Sequence, residues 1–135
     1  MRGINLVELM VVVVVIGILT AMGYPSYRQY VAKAKRNEAK AALLQIAAMQ
    51  ERVYLRERSY TTNMIKLGFP VDANFPTASG SYVVSVTAAT PAAFSATATY
   101  QKGDAEADKC KTFSIDGVGT KTSWPFDDCW TNTRR

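Results

Sequence analysis

The sequence predicts an α+β fold, and three observations predict it. An apolar N-terminal run passes without a break into a helix with an apolar stripe. A later region alternates apolar and hydroxyl-bearing residues in short stretches. Two cysteines sit near the C-terminus. The expected architecture is a long N-terminal α-helix whose apolar first half protrudes. Its second half packs on a 3–4-stranded antiparallel sheet, and a C-terminal disulfide-bounded loop closes the chain.

The helix comes first. From Ile4 to Tyr24 only Asn5, Glu8 and Thr20 interrupt 21 residues of apolar character. At ~1.5 Å per residue such a helix crosses a hydrocarbon core of about 30 Å. A secretory signal would have a shorter apolar core and a small-residue cleavage site. Here the run is followed by "YPSYRQYVAKAKRNEAK", aromatic and then basic, as at a membrane interface. Beyond Pro25, the residues Ala39, Ala42, Leu43, Ile46, Met49 and Val53 recur at helical spacing and share a face. Arg36, Lys40, Glu51 and Arg58 are expected on other faces. One helix from about Ile4 to about Leu55 accommodates all of this, with a bend at Pro25, which deletes a donor and crowds the preceding turn.

After Tyr60 the periodicity stops. "TTNMIKLGFPVDANFPTASG" carries two glycines and two prolines and reads as a connecting loop. "SYVVSVT" and "AFSATATY" read as strands joined by the turn "ATPAA". In the second, Phe94, Ala96, Ala98 and Tyr100 alternate with Ser95, Thr97 and Thr99, the period of a half-buried strand. "QKGDAEADK" is a charged loop leading to Cys110, and Asp116-Gly117-Val118-Gly119 is the turn of a further hairpin.

Composition narrows the chemistry. The chain has no histidine, and its two cysteines, Cys110 and Cys129, have 18 residues between them. Two thiolates with carboxylates are an unusual zinc set, so no metal or cofactor is expected. A disulfide formed in an oxidising compartment is the better reading, and a pair of buried thiols is the alternative. The loop it would close is worth about 3 kcal/mol in the chain-entropy account. Asp127 and Asp128 are too few to define a calcium site. No nucleophile elbow or phosphate loop is present, and scattered carboxylates and lysines do not make a catalytic site. An enzyme is not expected. The excess of sixteen basic over eleven acidic residues gives a formal charge of +5. That permits attraction to anions without establishing it.

The stretch "GINLVELMVVVVVIGILTAMGYPSY" resembles the N-terminal motif of type IV pilins and pseudopilins. That motif joins a glycine at a processing site, a glutamate five residues later, a long apolar helix and a proline near its end. The matching positions are Gly3, Glu8 and Pro25, with Ile4 opening the mature chain. "QERVYLRERSYTTNMIKLGF" and "CKTFSIDGVGTKTSWPFDDCW" look most like pilins of the PilE type. The resemblance implies a leader over 1–3, a transmembrane and polymerisation segment over 4–28 and a globular head over 29–135. It implies cleavage after Gly3 by a prepilin peptidase, methylation of the Ile4 amine and residence in the inner membrane. An inner-membrane assembly platform would then build the chain, with copies of itself or other pilins, into a pilus on a Gram-negative-type surface. The leader "MRG" is short, and Ile4-Asn5 replaces the commoner Phe-Thr pair.

The resemblance also gives Glu8 a task. An ionised carboxylate in hydrocarbon costs roughly 2.5–3.5 kcal/mol, and a neighbouring subunit's Ile4 amine would compensate it. The pair then sets registry more than net affinity. Gly17, Gly23 and Pro25 weaken the helix locally, so this stretch either melts in the filament or lets helices pack closely. In the C-terminal loop, Trp124, Pro125, Phe126 and Trp130 either meet a partner or pack on the sheet.

Three roles fit such a chain: pilus subunit for adhesion, twitching motility or DNA uptake, type II secretion pseudopilin, or minor pilin acting as adhesin or DNA receptor. The cysteine pair argues against the pseudopilin. Lys109, Lys111, Lys121, Arg134 and Arg135 are the candidates for a DNA-binding face. No aromatic-basic module surrounds them, and the sequence leaves DNA as a partner without support.

Overall fold

The computed structural model describes residues 3–131. Met1 and Arg2 of the expected leader, and Arg134 and Arg135 of the candidate basic set, lie outside the described residues. The helix α1 runs over Leu6–Glu57, followed by strands β1 (Phe75–Pro76), β2 (Tyr82–Ala89), β3 (Phe94–Tyr100), β4 (Cys110–Asp116) and β5 (Lys121–Pro125). A 3₁₀ turn, Asp127–Thr131, ends the described chain. Packing divides the molecule into two compact units, one up to Ala32 and one from Lys33 onward.

The first unit is the N-terminal part of α1. Asn5 precedes the helix, and its carbonyl accepts the first helical bond from Leu9 N–H at 3.1 Å. The apolar side chains from Ile4 to Met22 are exposed. The helix is long and apolar enough to cross a membrane. Thr20 returns its hydroxyl to the Ile16 carbonyl at 2.7 Å, which satisfies the donor within the helix. Pro25 lies inside α1, and the helical assignment continues through it.

In the second unit, Ala39, Leu43, Ile46 and Val53 form the buried face of α1, as their spacing predicts. They share one core with Tyr82 and Val84 of β2, Ala96 and Ala98 of β3, and Phe113 and Ile115 of β4. The sheet is a five-stranded antiparallel meander in the order β1-β2-β3-β4-β5. The four expected strands are joined by β1, two residues inside the stretch that reads as loop. Prolines and glycines there masked it, and Pro76 is tolerated because β1 is an edge strand. The same stretch buries Met64 and Leu67 completely.

The helix stops at Arg58, which takes φ 56°, and its N–H closes the last turn on the Tyr54 carbonyl at 2.8 Å. Gln50 then folds the chain back. Its amide donates to the Thr61 carbonyl at 2.6 Å, and its side-chain oxygen accepts from Thr61 N–H at 3.0 Å.

Two residues depart from the expectation. Arg36 and Lys40 do not lie on outward faces; they are 1% and 8% exposed. Arg36 makes a two-bonded pair with Glu106 of the β3–β4 loop, through Nε to Oε1 and through a terminal nitrogen to Oε2 at 2.8 Å. Burial works against the guanidinium charge, but the Glu106 hydrogen bond and charge outweigh it and raise the Arg36 pKa above its ordinary value. Lys40 buries its stem and donates from Nζ to the Trp130 carbonyl at 2.9 Å. A periodicity that counts only apolar residues assigns such cations to solvent, because their partners are distant in sequence.

The pair yields a prediction. Glu106→Gln leaves Arg36 as a buried uncompensated charge and is expected to cost about 3–5 kcal/mol. Replacing both residues by apolar ones (Arg36→Met with Glu106→Leu) costs much less. Urea unfolding of the wild type, Glu106→Gln and the Met/Leu double variant measures the difference.

Candidate nucleic-acid interface

The loop between β3 and β4 sorts its charges. In "QKGDAEADK" three acids lie between two lysines, and the fold buries Glu106 and ties the exposed Asp104 into hydrogen bonds. Glu106 is consumed by Arg36. The Asp104 carboxylate accepts the Tyr100 hydroxyl at 3.0 Å, and its Oδ1 also accepts Glu106 N–H at 3.0 Å. Lys102 and Lys111 remain exposed, Lys109 is half-buried, and Asp108 is the one exposed acid among them that no hydrogen bond holds. Burial, seconded by Asp104, pushes the Tyr100 phenol up to about 12. The Tyr82 phenol, buried and donating to the Cys110 carbonyl at 2.7 Å, is raised as well, first by burial and then by the Glu106 charge.

The next element adds aromatic surface. The β4–β5 ladder slips between Cys110 and Thr112, and the extra residue is Lys111. Such a bulge re-aims a side chain, and Lys111 Nζ stands 5.7 Å from the centre of the Trp124 ring. Trp124 is 60% exposed. Trp130 behaves differently. It packs edge-on against Phe113 with centroids 5.6 Å apart and donates from Nε1 to the Thr122 carbonyl at 2.7 Å. Lys121 Nζ lies 5.5 Å from its ring centre. The two readings of the loop aromatics therefore divide: Trp130 packs the loop down, whereas Trp124 and the partly exposed Phe126 face outward.

The scaffold beneath is stapled. Cys110 and Cys129 are joined with Cα atoms 5.8 Å apart, as expected for a disulfide and not for free thiols. The β4–β5 turn is held by the Asp116 carboxylate, which accepts from Val118 N–H and Thr120 N–H at 3.1 and 2.8 Å. Gly119 there has φ 84°, a conformation that favours glycine.

Of the sequence-predicted sites, Gly3 and Ile4 are exposed ahead of α1, and Glu8 is exposed in its first turn. Among the described residues Glu8 is in no ion pair. A Cβ added at Gly17 or Gly23 would meet open space, so nothing within this one chain requires glycine there. The structure brings Lys109, Lys111 and Lys121 to the two loops and the strand pair around the disulfide. It adds Lys102 and Trp124, which sequence reasoning left out of the basic set. The bulge that pairs Lys111 with Trp124 has no sequence signature. Lys102 was hidden because acids outnumber lysines in its loop.

The family described as "Type IV minor pilin ComP, DNA uptake sequence receptor" matches residues 25–114 of this chain. The chain belongs to the ComP type IV minor pilin family. This is a family of structural proteins, not an enzyme class. The match ends within β4, before Lys121 and Trp124. A type IV major pilin protein PilA of Myxococcus xanthus is 35% identical over 68 residues, covering 50% of this chain and 31% of that protein. A fimbrial protein of Neisseria meningitidis is 36% identical over 86 residues, covering 63% and 48%. The chain thus spans less than half the length of these curated relatives. The crystal structure of the non-core minor pilin PilV of Neisseria meningitidis superposes with a TM-score of 0.51 over 70% of this chain and 88% of that one, at 17% identity. The pilin's fold is therefore the type IV pilin fold.

Lys40 tethers the carbonyl of Trp130 and gives the interface a pH dependence. Burial first, and the neighbouring Arg36 charge second, lower the Lys40 pKa to about 8, against about 10.4 for a free lysine. Between these values the unfolded chain binds more protons than the folded one, so stability rises with pH across that window. Above about pH 10 the raised Tyr100 phenol reverses the trend, because the unfolded tyrosine ionises before the folded one does. Urea midpoints measured from pH 7 to 11 are expected to peak near pH 10, and Lys40→Met is expected to flatten the rise between 8 and 10.

Proposed function

We propose that this pilin is a type IV pilus subunit that is cleaved after Gly3 and polymerises through its N-terminal helix. Its head binds double-stranded DNA with the lysines and Trp124 around the disulfide. The observation that carries the DNA reading is the exposed pairing of Lys111 with Trp124 next to the disulfide-bonded Cys110. Glu106 is spent on Arg36, and Lys102 and Lys111 stay exposed. Lysines neutralise phosphates and release counterions, and an exposed ring adds apolar contact or stacking. The family's description as a DNA uptake sequence receptor supports this reading.

Before assembly the apolar helix anchors the subunit in the inner membrane. Assembly exchanges lipid for the helices of neighbouring pilins. Processing frees the Ile4 amine, and Glu8, which has no charged partner in its own described chain, meets the amine of a neighbour. Weak screening in that setting makes the pair a sensitive gauge of axial position.

Two tests follow. Duplex binding by the full chain should fall linearly in log affinity against log salt. Lys102→Ala and Lys111→Ala should each reduce the slope by about 1, and Trp124→Ala should weaken binding with little change in slope. A flat salt profile would remove the DNA reading. Separately, Glu8→Leu is expected to insert and be cleaved normally but to be depleted from sheared filaments, which immunoblotting against the membrane pool measures.

A further inference from the structure

The sheet's outer face carries a pattern that the pilus and DNA readings do not use. On a pleated sheet, cross-strand partners share a face. The register places Ser85 opposite Thr97, Thr97 opposite Ser114, and Ser114 opposite Thr122. One row of four hydroxyls therefore crosses β2, β3, β4 and β5, on the side away from the core, whose residues alternate with them. The adjacent row runs from Val83 through Thr99 and Thr112 and ends on Trp124. All these hydroxyl-bearing residues are half-buried or exposed. Among the described residues none of their hydroxyls makes a hydrogen bond within the protein, in contrast to Thr77, Ser79, Thr90 and Ser123, whose hydroxyls are all engaged.

The chemistry of the face selects its occupant. Neither row contains a charged residue, although the chain carries a net +5; Lys111 stands only at the Trp124 end, so the hydroxyl row itself lacks the cations that a polyanion needs. It also lacks the Met, Arg and aromatic density of a protein interface core, where serine is depleted. It presents a flat array of groups that both donate and accept, flanked by one ring that is 60% exposed. Strands stand ~4.8 Å apart, about the length of one sugar unit in an extended chain, and the row is therefore about three such steps long. We propose that this face binds an uncharged extended polysaccharide. Sugar hydroxyls exchange hydrogen bonds with the Ser85–Thr97–Ser114–Thr122 row, and one sugar ring stacks on Trp124, whose ring makes an amphipathic platform. The complementarity is of neutral polar surface with neutral polar surface, and it is independent of the DNA reading.

The test uses the full chain in a zwitterionic detergent, free of sugar headgroups, with amorphous cellulose and chitin as probes. Sedimentation is expected to retain the protein on at least one of them at both low salt and about 1 M NaCl, since no ion pair is involved. Soluble oligosaccharides of the same polymer should release it. The double variant Thr97→Val, Ser114→Val keeps shape and strand preference while deleting two hydroxyls, and is expected to weaken retention about tenfold. Duplex binding by that variant should be unchanged, whereas Trp124→Ala should impair both activities. Circular dichroism and an unchanged melting temperature establish that the variants fold. Absence of retention on both polymers, loss of retention at high salt, or full retention by the Val double variant would each overturn the proposal, and none of these outcomes bears on the DNA reading.

Discussion

A guanidinium and a carboxylate that meet under the sheet organise the head of this pilin. Arg36 is almost wholly buried, and Glu106 is 9% exposed. A charge taken from water at that depth is tolerable only with its counter-charge and hydrogen bonds in place. The pair therefore dictates where the β3–β4 loop lies on α1. The loop leads directly into Cys110, which opens β4, receives the Tyr82 hydroxyl on its carbonyl and joins Cys129. One residue beyond Cys129, the Trp130 carbonyl takes the Lys40 amine. Two cations one helical turn apart thus hold both ends of the disulfide-bounded region.

The same arrangement shapes the surface. Of the three acids in the β3–β4 loop, Glu106 is buried against Arg36, which leaves the charge that the loop presents to solvent less acidic than its composition. The bulge at Lys111 lies one residue after Cys110, the β4 residue that the disulfide holds. Electrostatics and packing cannot be separated here; a variant that relaxes the buried pair also changes what the surface presents.

Carboxylates in the two units have opposite situations. Glu106 finds its cation inside its own chain, seventy residues away in sequence. Glu8 is exposed on an apolar helix with no such partner among the described residues. In the assembly proposed above, that partner is the amine of a neighbouring subunit.

Much of the architecture was legible in the residues. The 21-residue apolar run, the stripe from Ala39 to Val53 and the alternation from Phe94 to Tyr100 are local periodicities. Each reports which side of an element avoids water, and that depends only on neighbours along the chain. The N-terminal glycine, glutamate and proline pointed to the pilin family by the same local means, and the lone cysteine pair left few alternatives to a disulfide. What tertiary structure alone decided were the relations between distant residues. These include the burial of Arg36 and Lys40, the withdrawal of Glu106 from the surface, the short strand at Phe75–Pro76, the meeting of Lys111 with Trp124, and the hydroxyl row across four strands. The physical reason is common to all of them. Desolvation, ion pairing and strand register are settled by partners that come together only when the chain folds, so their energies have no counterpart in any short window of sequence.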